Sequence, residues 1–356
     1  LPDDVPGLSQ LQQRQAMLKN CLADYRLSPF VSSYFGKPFQ KGRVMYGNCL
    51  QDMLEQVPCT HEDLVSVCQA NFIRRKTEDG YIYFVALQKN RPIDQWVSLG
   101  VAARSVLFFN PLTGEKGKAR LRISNGLAQV YLQLKPGQSM IIRTYNQEDV
   151  AEPLYPVYQR EGIDFLNATQ PVIGMATNKQ PKRAKIVNLH GKWTFRFTEG
   201  DPAIPGTFIM RGTPVSWTDL PVKASTVYAG TGRYTLKFKL TGVKADDWRL
   251  NLNGLAESAR VYLNGQYAGE VWSLPYTLNV GRFLKPGKAN LIEIDVTNLP
   301  ANRIADYDRR GVKWRIFKEI NFVDVTYNKT LYDKWPIMPS GLTRPISLEP
   351  LYIKSN

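Results

Sequence analysis

A segment near the carboxyl end of the chain concentrates charged and aromatic side chains whose types could recognise a polar ligand. Asp306 and Asp308 lie among arginines, and the aromatic Trp314 follows them closely. Carboxylates accept hydrogen bonds and arginines donate them, so the cluster could bind the hydroxyl groups of a sugar. Two other interpretations stay open: an ion-pair network that fixes a long loop between strands, or a calcium site formed by Asn302, Asp306 and Asp308.

Aromatic side chains in predicted loops supply the second part of this hypothesis. A sugar site pairs an apolar ring face with a few polar groups that fix the orientation of the ligand. We expect Trp272 to pack in the core rather than to face solvent, whereas Trp314 fits a surface position and loop packing equally well. Arg310 and Trp314 are the first pair to test. The predicted sugar-binding residues are Arg310, Trp314, Asp306, Asp308, Trp272 and Tyr276.

Other catalytic chemistries find little support in the residues. Glycoside hydrolysis uses two carboxylates, about 5–5.5 Å apart for retention or about 6.5–9.5 Å apart for inversion. Histidine occurs only as His61 and His190, and neither lies beside a Gly-x-Ser-x-Gly nucleophile elbow. The sequence has no Walker loop and no dinucleotide fingerprint. The acidic residues in suitable segments are Glu257, Asp306, Asp308, Glu319 and Asp324.

Length and charge restrict the class of protein. The chain has 356 residues and a formal net charge of +15, which suggests two or three domains and a basic surface. A basic surface can bind nucleic acid or an acidic polymer. The lysines and arginines are dispersed, however, apart from one cluster, "NKQPKRAK", in a proline-containing segment. We therefore predict no nucleic-acid partner and keep an acidic polysaccharide as an alternative ligand.

The cysteines and the start of the chain bear on its cellular location. The spacing of the four cysteines fits no zinc pattern and leaves disulfide formation open. No apolar run reaches the roughly 18 residues of a membrane span. The sequence begins at Leu1 without a basic and apolar leader, so we expect a processed or truncated N-terminus. The cysteines are Cys21, Cys49, Cys59 and Cys68.

Residues 1–76 predict a short, incomplete α/β segment. Helical spacing is found in "LSQLQQRQAMLKNCLADY" and "NCLQDMLEQV", with one strand between them in "GRVMYG". A single strand with its helices cannot form a stable sheet alone. We therefore interpret this segment as the remnant of a larger domain.

Residues 77–146 predict a small antiparallel β-sandwich of about six strands. Turn signals separate short apolar strands, and Val130, Leu132 and Leu134 alternate with polar or amphipathic neighbours. Residues 147–187 are rich in proline and weakly periodic, which predicts a linker that wraps along a neighbouring domain.

Residues 188–356 predict a jelly-roll sandwich of about eight strands, which makes the fold mainly β. Asn264-Gly265 is a two-residue hairpin signal, because both positions of a type I′ turn require positive φ. We expect three tryptophans, Trp193, Trp217 and Trp248, to lie in the core. The aliphatic core is predicted to contain Val261, Leu263, Leu291, Ile292 and Ile294.

These strands carry a resemblance to known glycoside hydrolases. The chain resembles the sugar-binding, galactose-binding-like jelly roll of glycoside hydrolase family 2 in "YAGTGRYTLKFKL", "ESARVYLNGQYAG" and "FLKPGKANLIEIDVTN". It looks like the C-terminal region of α-L-rhamnosidase-like enzymes, family 106 and its relatives, in "TNLPANRIADYDRRGVKWRIFKEINFVDVTY" and "WPIMPSGLTRPISL". Segments upstream are similar to the parts next to the barrel in those enzymes, namely "KGRVMYGNCLQDML" and "DGYIYFVALQKNRPIDQWVSLGVAARSVLFFNPLTGEKGKARL".

The resemblance implies an accessory role, because the catalytic part has no counterpart here. In that family an (α/β)₈ barrel of roughly 200 residues or more precedes these modules and carries the catalytic carboxylates, and this sequence has no such series. The implied function is the non-catalytic, sugar-binding C-terminal region of a secreted or periplasmic glycoside hydrolase that acts on plant or host polysaccharide. Its partners would be carbohydrate and a catalytic barrel domain, in cis or in trans. It would hold no cofactor, apart from the structural calcium that is common in galactose-binding-like folds.

Two alternatives remain. The first is a stand-alone lectin-like protein that binds glycans without cleaving them. The second is a cationic module that binds acidic polysaccharide.

Overall fold

The computed structural model divides the chain into two compact units, Leu1–His61 and Glu62–Asn356. The residues that the structure describes are 4–7, 9–23, 35–39, 42–46, 49–55, 62–159, 185–241, 244–315 and 331–354. Strands dominate the described residues, and all named sheets are antiparallel. The prediction of a mainly β fold built from β-sandwiches is confirmed. Within these ranges, no helix has the length and apolar character needed to cross a membrane.

The first unit contains two helices and a hairpin. Strands β1 and β2 pair in antiparallel register, with Phe39 opposite Gly42. The sequence predicted only β2 here, so the described part of this unit has one strand more than expected. The elements are α1 (Leu11–Ala23), β1 (Phe35–Phe39), β2 (Gly42–Tyr46) and α2 (Leu50–Glu55).

The second unit begins with a sandwich that we name the small sandwich, Asn71–Tyr145. One sheet has the strand order β3-β4-β10-β6-β7 and the other β5-β9-β8. The alternation in β9 is confirmed, since Val130, Leu132 and Leu134 are buried. Helix α3 precedes the sandwich, and β3 pairs with β4 although it lies within the predicted α/β segment. The elements are α3 (Asp63–Ser66), β3 (Asn71–Lys76), β4 (Tyr81–Ala86), β5 (Ile93–Ser98), β6 (Ser105–Phe109), β7 (Lys116–Lys118), β8 (Leu121–Ser124), β9 (Leu127–Leu134) and β10 (Ser139–Tyr145).

A larger sandwich, Val187–Leu351, follows and is named the large sandwich. A six-stranded sheet, β13-β12-β14-β20-β17-β18, and a four-stranded sheet, β11-β22-β15-β19, form its layers, and β16 pairs with β21. The elements are β11 (Val187–Asn188), β12 (Gly191–Asp201), β13 (Phe208–Gly212), β14 (Ala229–Lys239), β15 (Asp247–Asn251), β16 (Leu255–Ala256), β17 (Ser258–Leu263), β18 (Gln266–Val271), β19 (Thr277–Asn279), β20 (Ala289–Thr297), α4 (Ala301–Arg309), β21 (Gly341–Leu342) and β22 (Ser347–Leu351).

The buried residues of the large sandwich agree with those predicted from the sequence, except at one position. Trp193, Trp217 and Trp248 are buried, as are four of the five predicted aliphatic residues. Leu291 is only half-buried. Side chains alternate between the two faces of a strand, so Leu291 cannot share the inner face with its neighbour Ile292.

The predicted hairpin turn is confirmed, and Asn264 has a second role there. Its φ is 55° and that of Gly265 is 80°, as a type I′ turn requires. The amide of Asn264 also donates to the carbonyl of Phe283 at 2.8 Å and accepts from the N–H of Leu291 at 3.0 Å. The turn is thereby fixed to the next loop and the next strand.

Residues 146–159 run from the small to the large sandwich. Leu154 forms a β-bridge with Lys118, and Tyr158 forms one with Ile353. The N–H of Gln159 donates to the carbonyl of Tyr352 at 2.7 Å. The described part of the predicted linker therefore packs along both sandwiches. Residues 160–184 of that prediction lie outside the described residues.

Candidate functional site

A cleft of about 2210 Å³ lies between the small and the large sandwich. The outer face of the four-stranded sheet forms one side of it. Alternation along β15 buries Trp248 and Leu250 in the core and turns Asp247, Arg249 and Asn251 outward. The same alternation on neighbouring strands adds Thr277, Asn279 and Glu349 to this polar face.

Strand register arranges these polar side chains in two rows. Arg249 lies opposite Asn279 on one side and Glu349 on the other. Asn251 lies opposite Thr277 and Ser347 in the next row. Side chains that lie opposite one another on antiparallel strands are close enough to interact. The sheet therefore presents donors and acceptors in alternation over one continuous surface.

The small sandwich and the following segment form the opposite wall, with Tyr158 as the main connection. Its hydroxyl donates to Asp247 Oδ2 at 3.2 Å and accepts from Asn279 Nδ2 at 3.2 Å. Gln133 holds the backbone of Tyr158 from behind through bonds of 2.7 and 2.9 Å. Asp247 in turn accepts from the N–H of Gly281 at 2.9 Å. These contacts fix the distance between the two walls at one end of the cleft.

The cleft shifts the pKa of several groups. Burial raises the pKa of Glu115, and the nearby carboxylate of Asp247 raises it further. Burial lowers the pKa of Lys135 to about 8, with an added contribution from Arg249. Burial also raises the pKa of Tyr155 to about 12. Shifted pKa values concentrate at functional sites, which makes this cleft the leading candidate.

Lys135 gives the cleft a measurable pH signature. Its pKa is about 8 in the folded protein against an ordinary value of 10.5, so the unfolded chain binds more protons between these values. The free energy of unfolding should therefore rise with pH from about 8. Above pH 10 the raised pKa of Tyr155 acts in the opposite direction, because the folded tyrosine keeps the proton that the unfolded one releases.

We expect the Lys135→Met variant to lose this rise between pH 8 and 10. Guanidinium denaturation of the wild type and the variant at pH 7.5, 8.5 and 9.5 would measure it. The other titrating groups cancel in the difference between the two proteins. If the free energies of unfolding of the two proteins changed in parallel with pH, the pKa of Lys135 would not be lowered in the folded protein.

Of the predicted sugar-binding residues, Trp272 lines the cleft. The expectation that it packs in the core is wrong, since the side chain is 62% exposed. It lies directly beyond the end of β18. Tyr276 is half-buried and packs against the core of the large sandwich. Burial raises its pKa, with a smaller contribution from Glu257.

The remaining predicted residues gather around α4, which the sequence analysis treated as a loop. Asp306 forms ion pairs with Arg303 at 3.2 Å and Arg310 at 3.0 Å, three and four positions away. Arg303 and Arg310 both lie over the ring of Tyr307. These spacings are those at which side chains meet on a helix. The geometry therefore favours the ion-pair interpretation of Asp306 and Arg310.

Asp308 connects the end of α4 to two later segments. Its carboxylate accepts from Trp314 Nε1 at 2.8 Å, from Arg315 at 2.9 Å and from the N–H of Tyr332 at 2.9 Å. Trp314 is thus held against the protein through its polar atom. A sugar-binding role for Asp308 and Trp314 stays a prediction.

The calcium hypothesis also stays a prediction. Both amide atoms of Asn302 bond to the backbone of Met338 at 2.8 Å, and Asp306 and Asp308 point to different partners. Among the described residues, no group of three His, Cys, Asp or Glu side chains is placed to hold a metal. Glu319, Asp324, Cys59 and His61 lie outside the described residues, and Cys21, Cys49 and Cys68 have free thiols.

The polar face of the cleft is the part of the site that sequence reasoning missed. The sequence does contain a pattern that corresponds to this face, since the polar residues of "DWRLN" and "TLN" alternate with core residues. Every solvent-facing sheet shows such alternation, so the pattern does not distinguish this face from the others.

Comparison with known proteins yields distant, partial similarities to glycoside hydrolases, and no known family matches the chain. A protein of Formosa agariphila named "Putative beta-glucuronidase" is 28% identical over 159 residues, which are 39% of this chain and 14% of that protein. The structure of a rhamnosidase from Novosphingobium sp. PP1Y matches with a TM-score of 0.56 and 19% identity, over 96% of this chain and 28% of the rhamnosidase.

A β-glucuronidase from Bifidobacterium dentium, complexed with coumarin-3-O-glucuronide, covers 49% of this chain and 31% of its own length, at a TM-score of 0.34 and 22% identity. This chain therefore spans less than a third of the length of each of these proteins. The chain shares its fold with part of a rhamnosidase, and its distant sequence relative is named as a glucuronidase.

Proposed function

We propose that this chain is a non-catalytic, carbohydrate-binding accessory region of a secreted or periplasmic glycoside hydrolase, and that the cleft between the two sandwiches binds the glycan. The observation that carries the proposal is the polar face of the four-stranded sheet, which lies opposite Tyr158 and ends near the exposed ring of Trp272. A plant or host polysaccharide is the proposed source of the glycan.

The chemistry of this face matches sugar hydroxyls. Each hydroxyl both donates and accepts a hydrogen bond. Arg249 donates, Glu349 accepts, and the amides of Asn251 and Asn279 do both. The two bonds of the Asn251 amide, to Ser347 and Glu349, are long at 3.5 Å, so a ligand could replace them at little cost. Trp272 supplies an apolar ring at the rim, against which a pyranose could stack.

The size of the cleft suits an extended ligand. Sites for single small molecules measure roughly 300–1,000 Å³, and this cleft exceeds that range. An oligosaccharide of several units would fill it better than one sugar would.

A binding role rather than a catalytic one agrees with the hydrogen bonds of two of the cleft's carboxylates, Asp247 and Glu349. Asp247 accepts hydrogen bonds from Tyr158, Trp248 and Gly281, and Glu349 pairs with Arg249 at 3.5 Å. Carboxylates engaged in this way orient donors and are poorly placed to attack or protonate a glycosidic bond.

Calorimetric titration against a panel of neutral and acidic oligosaccharides tests the proposal. We expect the Asn251→Ala variant to bind the recognised glycan about tenfold more weakly with unchanged stability. Asn71→Ala, at an exposed asparagine outside the cleft, is the matched control. Glycan cleavage that disappears in Asp247→Asn or Glu115→Gln would contradict a non-catalytic role.

The proposed partnership with a catalytic domain has its own observation. The segment 331–338 is held on α4 by Asn302 and by Arg309, which donates to the carbonyls of Asp333 and Trp335 at 2.8 and 3.0 Å. It exposes four large apolar side chains. Clustered exposed apolar side chains mark interaction surfaces. The four are Leu331, Trp335, Ile337 and Met338.

We expect a purified glycoside hydrolase barrel domain encoded with this chain to bind it through that segment. Ile337→Asp should weaken the complex at least tenfold in sedimentation experiments, whereas Ile123→Asp, at an exposed isoleucine of the small sandwich, should not. A chain that sediments as a monomer with every such domain would favour the stand-alone lectin.

A further inference from the structure

We infer that the outer face of the six-stranded sheet is a second binding surface, for a polysaccharide that carries carboxylate or sulfate groups. This surface lies on the sheet opposite the four-stranded one, so the inference does not depend on the proposed role of the cleft. It is carried by the register of the charged residues, by their ion pairs, and by a groove of about 1070 Å³ across the strands.

One row of charged side chains crosses five strands. Arg196 lies opposite Arg233, Arg233 opposite Asp295, Asp295 opposite Arg260, and Arg260 opposite Glu270. Arg233 bonds to both carboxylate oxygens of Asp295, at 2.5 and 2.6 Å. Arg260 bonds to Glu270 at 2.8 Å. The row is thus neutralised everywhere except at its Arg196 end.

Unneutralised basic residues continue from Arg196 along the edge of the same face. Lys192 and Arg196 are exposed on β12, Arg211 on β13 and Lys237 on β14. Alternation and register place all four on the outer face, with Lys192 directly opposite Arg211. Within the described ranges none of them forms an ion pair. We name these four residues the basic strip.

The basic strip is unfavourable for the folded protein. Like charges directly opposite one another on neighbouring strands are destabilising, and the face contains two such pairs, Lys192 with Arg211 and Arg196 with Arg233. Three acidic residues of the face, Glu293, Asp295 and Glu270, lie on other strands and bond to Arg233 and Arg260. A fourth, Glu199, lies on β12 itself, opposite Thr231, and lines the groove beyond Arg196. A bound anion would relieve the repulsion, which gives the strip a physical reason to bind one.

The groove next to the strip favours a sugar over other anions. A row of hydroxyl side chains crosses it, and Thr231 Oγ1 lies 2.8 Å from Thr297 Oγ1. The row ends at Ser258 and the exposed ring of Trp272. Hydroxyls and a ring face recognise a pyranose, while the strip recognises its carboxylate or sulfate. A nucleic acid, which would use the charges but not the hydroxyl row, is the competing outcome.

Affinity electrophoresis in gels that contain a soluble polymer tests the inference. The probes are alginate for carboxylate, dextran sulfate for sulfate, unmodified dextran as the neutral polymer, and duplex DNA. We expect wild-type protein to be retarded by alginate, by dextran sulfate or by both. The double variant Lys192→Gln/Arg196→Gln should lose at least tenfold in affinity for the retarding polymer and keep its behaviour in dextran.

A charge-matched control distinguishes the effect of the basic strip on retardation from the effect of the protein's net charge. Lys285→Gln/Lys288→Gln removes two exposed lysines from a turn of the same sandwich and should leave retardation unchanged. Equal losses in both double variants would overturn the inference, as would duplex DNA that binds more tightly than either acidic polymer. Asn251→Ala changes the cleft alone. If the cleft hypothesis fails, the retardation of the strip variants can therefore still be interpreted.

Stability gives a second measurement on the same variants. Removal of like-charge pairs should leave the free energy of unfolding unchanged or raise it. A clear loss of stability in Lys192→Gln/Arg196→Gln would mean that the strip supports the fold, and would contradict its assignment as a binding surface.

Discussion

Replacement of Trp217 by alanine is expected to lower the free energy of unfolding by about 3–5 kcal/mol, the range for large aromatic residues in a well-packed core. The side chain is fully buried and its ring lies 5.7 Å from that of Phe195 and 5.9 Å from that of Tyr228. Gly341 approaches the indole so closely that a side chain there would collide with it. Since domains are stable by only about 5–15 kcal/mol, this loss would be a large fraction of the total free energy of unfolding. Guanidinium denaturation followed by near-ultraviolet circular dichroism measures this.

Trp217→Phe is the informative companion variant. The indole N–H of Trp217 has no hydrogen-bond acceptor among the described residues, and a buried polar group without a partner is costly. Phenylalanine removes this N–H and keeps most of the ring, so the loss should be far smaller than with alanine. Equal losses in the two variants would show that the indole N–H has an important partner.

Replacement of Trp272 by alanine is expected to leave the stability within about 0.5 kcal/mol of the wild type and to weaken glycan binding at least tenfold, or about 1.4 kcal/mol. The ring is exposed and lines both the cleft and the groove of the six-stranded sheet. Its loss would therefore affect ligands at either site. Calorimetric titration with the recognised oligosaccharide gives the affinity, and denaturation on the same sample gives the stability.

Trp335→Ala is the matched control for Trp272→Ala. Trp335 is 43% exposed, packs against Tyr332, and lies on the segment that covers α4, away from both binding surfaces. Its removal should not change glycan affinity. If the two variants bind equally well, Trp272 has no role in recognition, and the proposed position of the ligand is wrong.

The amino-acid sequence contains local features that predict a helix at α4, although the sequence analysis did not predict one. Pro300 stands directly before the helix, and Arg303, Asp306 and Arg310 have helical spacing. Because the segment lies between predicted strands, the sequence alone favours a loop here. Such an insertion between strands is stabilised by tertiary contacts, here the bonds from Asn302 to Met338, which do not follow from the local pattern.

The mainly β class, the alternation within β9, the turn at Asn264-Gly265 and the burial of three tryptophans were all predicted correctly from the amino-acid sequence. The class, the alternation and the turn follow from local geometry, because a strand has a period of two and a type I′ turn needs positive φ. Which polar faces form a cleft or a charged surface depends on contacts between residues that are far apart in the chain. Tyr158 and Asp247, for example, meet although 89 positions separate them. Polar outward faces occur on both sandwiches, beside exposed apolar side chains such as Ile73 and Phe84. Only the packing of one sandwich against the other, and the register between strands, could therefore identify the face that lines the cleft.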